Sequence, residues 1–106
     1  MIVATSETIA NKRIVRTLGI VRGNTVRARH VGKDIMAGLR NIVGGEVHEY
    51  AKLVAESREQ SLDRMIQEAA SLGANGIIAV RFTTSVLMGG AAELLAVGTA
   101  VILEDE

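Results

Sequence analysis

The chain has 106 residues, no cysteine and a formal net charge of zero, which leaves room for one domain and removes disulfide frameworks, thiolate metal ligation and thiol nucleophiles. Apolar residues make up 48% of it, yet Tyr50 and Phe82 are its only aromatics. A core of Val, Ile, Leu, Ala and Met lacks the ~150–250 Å² that each large ring would bury, and is expected to gain area from self-association.

The zero charge hides a division near Gly45. Residues 1–45 hold eight bases against two acids, a net +6, and residues 46–106 hold four against ten, a net −6. Such asymmetry predicts that the basic half meets either a polyanion or the acidic half of a neighbouring copy. The start MIVATSE has no basic leader before a long apolar stretch, and the longest apolar run, Leu94 to Leu103, falls short of the ~20 residues of a membrane span. The expectation is a cytoplasmic protein without a membrane partner.

In chain order, Ile2 to Thr5 is a short β-like start. The β-branched stretch Arg13 to Val21 predicts a strand, Gly23-Asn24 signals a bend or hairpin, and Thr25 to His30 resumes an extended pattern. From Lys33, Ile35, Met36, Leu39 and Ile42/Val43 recur at three and four residues and predict a short amphipathic helix that ends at Gly44-Gly45. Glu46 to Leu72 reads as a long helix, with Val47, Tyr50/Ala51, Val54, Leu62, Met65/Ile66, Ala69 and Leu72 along its stripe. Gly73 is placed as its left-handed C-terminal cap.

Ile77 to Leu87 alternates like a strand, Gly89-Gly90 marks a hairpin, and Glu93 to Leu103 supplies the partner before the acidic tail Glu104-Asp105-Glu106. In that last strand Leu95, Val97, Val101 and Leu103 share one face, and Leu94, Ala96, Ala100 and Ile102 the other. Both faces are apolar. A sheet with helices on one side alternates apolar and polar, so the second face is expected to be covered by another subunit, with Leu95, Val97, Val101 and Leu103 as interface candidates.

Chemistry-bearing constellations are few. The two histidines, His30 and His48, are far apart, and Glu46, His48 and Glu49 form the sole local metal candidate. Their spacing at a helix start lacks the i, i+4 convergence of a ligand set and reads better as acids stabilising a helix N-terminus. Gly44-Gly45 could aim backbone N–H groups at an anion, but no lysine follows as in a phosphate loop, and a turn explains the pair. Arg58 falls within the apolar stripe and Arg81 interrupts an uncharged strand face. Each is therefore a candidate to pair with a carboxylate at an interface or to bind a ligand anion. No nucleophile elbow or inward carboxylate pair appears, so no enzyme activity and no cofactor are expected. The basic half lacks interleaved aromatics, which argues against nucleic acid.

The strings Arg40-Asn41-Ile42-Val43-Gly44-Gly45, Glu59-Gln60-Ser61-Leu62-Asp63-Arg64-Met65 and Leu72-Gly73-Ala74-Asn75-Gly76-Ile77-Ile78-Ala79-Val80-Arg81-Phe82 resemble the YbjQ-like family. So do Thr17-Leu18-Gly19-Ile20-Val21 and Gly98-Thr99-Ala100-Val101, so that the likeness covers nearly the whole chain. The resemblance implies an α+β subunit of dodecin-like type in a homopentameric ring, and a family provisionally labelled as heavy-metal-binding. The sequence is thus read as one YbjQ-like domain over residues 1–106, an antiparallel sheet with a short and a long helix on one face. The expected function is that of a non-enzymatic homo-oligomeric binding or scaffold protein. The alternative is a heavy-metal-binding or metal-responsive protein, and a metal ion or small anion is a possible ligand.

Overall fold

The computed structural model describes residues 1–27, 47–86 and 92–106. The short helix, His30, Gly44, Gly45, Glu46 and the Gly89-Gly90 connection lie outside the described residues. Those described form a four-stranded sheet with one helix across it: β1 (Ile2–Val3), β2 (Lys12–Arg27), α1 (Val47–Ser71), β3 (Gly76–Val86) and β4 (Ala92–Asp105), in the spatial order β1-β3-β4-β2.

The expectation of an α+β chain holds, but the sheet is mixed rather than antiparallel. β1 runs parallel to β3, whereas β3–β4 and β2–β4 are antiparallel. The Ile2 N–H donates to Asn75 O and the Ala4 N–H to Ile77 O, both at 3.1 Å or less. Strand direction leaves no trace in a two-residue apolar pair, so the sequence could not reveal it.

The larger correction concerns Gly23-Asn24. No hairpin forms there, because β2 runs through both residues as one 16-residue strand paired with β4 from Lys12↔Asp105 to Arg27↔Ala92. Gly23 serves packing instead. A Cβ at this position would lie 2.2 Å from Ser61 O and 2.4 Å from Met65 N, so the helix backbone rests directly on the strand. A glycine that admits a close neighbour and a glycine that turns a chain look alike in one sequence.

α1 agrees with the predicted long helix to within a residue at each end. Its buried row is Ser57, Ser61, Met65 and Ala69, each four residues after the last, with Leu62 and Ile66 half-buried beside it and Leu72 exposed. The row keeps the predicted Met65 and Ala69 but runs through Ser57 and Ser61 instead of Arg58 and Leu62, so Arg58 is exposed rather than embedded among apolar groups. Small side chains win the contact because only they let the helix approach Gly23. Their hydroxyls are satisfied: Ser61 Oγ is within 3.0 Å of Thr25 Oγ1, Ser57 O and Leu94 O. Below the helix lie Val21, Gly23 and Thr25 of β2 with Leu94, Ala96, Gly98 and Ala100 of β4, every second residue of each strand.

The helix ends as predicted. Gly73 takes φ 83°, the Ala74 N–H reaches back to Ala69 O and the Gly73 N–H to Ala70 O, the paired bonds of a left-handed C-terminal cap. Two residues later Asn75 extends the sheet with its side chain. Its Nδ2 donates to Leu103 O at 2.9 Å, and its Oδ1 accepts from the Leu103 N–H at 2.7 Å. Asn75→Ala would strand both groups of a buried strand residue. We expect it to lower stability by about 1–3 kcal/mol in urea denaturation.

Candidate functional site

The side of the sheet away from α1 is the candidate site. The bulges of the two ladders fall in β2 and β3 while β4 itself alternates throughout, so its odd-numbered residues all point there: Leu95 and Val97 half-buried, Val101 and Leu103 buried. Each brings cross-strand neighbours onto the same face. Ile20 stands opposite Thr99 and Val26 opposite Glu93, and these two apolar side chains are 70% and 50% exposed. Ile78, also opposite Thr99, is half-buried. The result is an apolar strip, along the half of the sheet near Val97, that the described residues leave open.

Of the four expected interface residues, Leu95 and Val97 are in place to meet another molecule. Val101 and Leu103 are not, being 0% and 6% exposed within the single chain. The Leu103 Cδ1 fills the space over Gly76, 2.6 Å from where a Cβ would sit. Face alternation is legible in a sequence, but which part of a face the same chain has already covered depends on distant residues.

Register supplies a cation that the sequence reading missed. Arg22 and Arg81 both stand opposite Val97, one on each flanking strand, so an arginine brackets Val97 on either side about two strand spacings, ~10 Å, apart. Neither sequence position suggests the other, since 59 residues separate them. The Arg81 guanidinium bends outward, its Nη1 donating to Thr5 O and Val80 O, both at 2.7 Å. That tie braces a bulge at which Ala79, with φ 54°, adopts a left-handed conformation uncommon for alanine. Within the chain Arg81 is thus joined to backbone carbonyls.

Part of the charge division is settled inside the chain. The antiparallel register carries the start of β2 to the acidic tail, pairing Lys12 with Asp105, and Arg13 with Glu104 at 3.1 Å. The hydrogen bond from Lys12, and then its charge, hold the Asp105 carboxyl below the usual carboxylate range. Both pairs are solvent-exposed and orient more than they stabilise.

For a metal, Glu46 is outside the described residues, while His48 and Glu49 fall in the first turn of α1. Among the described residues no three His, Asp or Glu gather in a way that could hold an ion. No described helix is long and apolar enough to cross a membrane.

Comparison with known proteins reaches the whole chain. A family model described as "Putative heavy-metal-binding" matches residues 1–104. A UPF0145 protein of Methanosarcina acetivorans is 55% identical over 95% of this chain and 95% of its own. Another, of Archaeoglobus fulgidus, is 57% identical over 97% and 95%. Among solved structures, a protein of unknown function of the DUF74 family from Pediococcus pentosaceus superposes with a TM-score of 0.65 over 98% of both chains. At 15% identity it speaks for the fold alone. A chain matched by the family model over nearly its full length, with relatives sharing more than half of their residues, belongs to the YbjQ family of UPF0145 proteins.

Proposed function

We propose that the protein is a non-enzymatic, cytoplasmic homo-oligomer, a pentameric ring of dodecin-like subunits that serves as a binding or scaffold protein. The observation that carries this reading is the open sheet face. Ile20, 70% exposed, stands beside half-buried Leu95 and Val97 on a chain that has almost no aromatics to enlarge its own core. An apolar strip on one face of a small domain is covered most simply by another copy. Arg22 and Arg81 at its flanks fit an acidic surface on the neighbour, and the net −6 of residues 46–106 supplies one. Light scattering after size exclusion tests the reading: a mass five times the 11.2 kDa subunit is expected, and a folded monomer at micromolar concentration would overturn it.

The family description favours a second reading, a heavy-metal-binding protein, for which Glu46, His48 and Glu49 are the candidate donors in the sequence. Calorimetric titration of tag-free protein with zinc, copper and nickel separates the two. Stoichiometric binding tighter than micromolar would establish the metal reading.

A further inference from the structure

Among the described residues β2 is one of the two outer strands of the sheet, and one half of its backbone hydrogen-bonding groups faces away from β4. In an antiparallel pair these outward groups belong to alternate residues, here including Arg22 and Asn24. A row of this kind is a template for another strand unless something occupies it. Two groups in the row are occupied, both from α1. The Arg22 N–H donates to Glu68 Oε2 at 3.2 Å, and Arg64 Nη1 donates to Asn24 O at 2.5 Å.

The two side chains come from one helical face, four residues apart, and straddle Gly23. Their reach depends on the same close approach. The Arg64 Cβ would lie 2.8 Å from a Cβ on residue 23, so the helix sits low enough for both side chains to pass around the strand's edge. Donor meets acceptor in each case: the carboxylate takes the free N–H and the guanidinium the free carbonyl. A neighbouring strand would need those same two groups in the same row.

We propose that Arg64 and Glu68 form an edge clamp that bars strand addition to β2 at residues 22–24 and so keeps strand pairing between copies off this stretch of the edge. This rests on the proposed self-association only for its second clause, since the clamp itself is a property of one chain. Charge on an edge strand is a common protection. Here it is supplied across the layer by the helix, which ties the protection to the packing of α1.

The test uses the full-length chain and four variants: Arg64→Ala/Glu68→Ala, Glu68→Ala, Glu68→Gln and Ala70→Ser, the last an exposed helical position away from the strand. The double variant is expected to keep its helical circular dichroism, to form species larger than the wild-type assembly as concentration rises, and to bind thioflavin. Its Arg22 amide should exchange at least tenfold faster, or become protected only in the enlarged species. Glu68→Gln, which retains an accepting oxygen, should show a smaller change, and Ala70→Ser none. The proposal is overturned if the double variant keeps wild-type size at every concentration and wild-type exchange at Arg22. Should the double variant not fold, unchanged Arg22 exchange in Glu68→Gln and in Glu68→Ala would overturn it equally. A wild-type chain that is monomeric but whose double variant self-associates would sink the assembly reading and leave the clamp standing.

Discussion

Gly23→Ala should be the most damaging glycine-to-alanine change among the described residues. The added carbon would meet Ser61 O and Met65 N, backbone atoms that cannot swing aside as the end of a side chain can. Relief requires α1 to lift from β2, which opens the contact of Met65, Ala69 and Val21, all completely buried. Overpacking in a close-packed core costs about 1–3 kcal/mol, and a rigid neighbour places this case at or above the upper end. For a domain of this size that is a midpoint fall of roughly 10–20 °C. Circular dichroism melting at one fixed protein concentration measures it, with Val15→Ala, a 43%-exposed position, as a comparison expected to move little. A fall of only a few degrees would show that the helix can retreat cheaply and that the close approach is not a constraint.

The second large effect separates folding from assembly along a single strand. Val101 and Val97 lie on the same face of β4, but Val101 is fully buried and Val97 only half-buried. Val101→Asp removes about 1.5–3 kcal/mol of apolar burial and places a carboxylate where nothing pairs with it, so a loss above about 4 kcal/mol is expected. Because domains hold only ~5–15 kcal/mol in total, much of this variant should be unfolded. Val97→Asp is expected to fold, since water reaches the site in the isolated subunit, and to lose self-association. Light scattering together with circular dichroism distinguishes the outcomes. Moderate salt should leave the wild-type assembly intact, because exposed ion pairs contribute only ~0–1 kcal/mol each. An assembled Val97→Asp protein, or an oligomer dissolved by salt alone, would place the contact elsewhere.

Much of the fold is legible in the sequence where one residue type has one physical meaning. The period of residues 47–71 gives the helix, Gly73 gives its cap, and two-residue alternation gives both faces of β4. Legibility fails where a residue serves two ends. Gly23-Asn24 fits a hairpin as well as it fits a strand crossed by a helix, and only the partner at Ser61 and Met65 decides. Ser57 and Ser61 look like surface residues until Ser61 Oγ is seen within 3.0 Å of Thr25 Oγ1 and Leu94 O, and a buried row through Ser57 and Ser61 rather than Arg58 and Leu62 leaves Arg58 in solvent. The candidate site is harder still to read, since bracketing of Val97 by Arg22 and Arg81 is a fact of register, and register is set by bulges in β2 and β3 that no spacing rule marks.

The pairing of β2 with β4 also governs when this chain can fold. Lys12 meets Asp105, 93 positions away, and every described ladder contact of β2 is to a residue after 91. During synthesis from the N-terminus, β2 is therefore complete long before its partner exists, while α1 needs only its own residues to begin. The sheet closes only when the last strand clears the ribosome. Until then a 16-residue strand rich in Val, Ile and Arg waits without a ladder, and α1 is the first of the described elements after it able to shelter it.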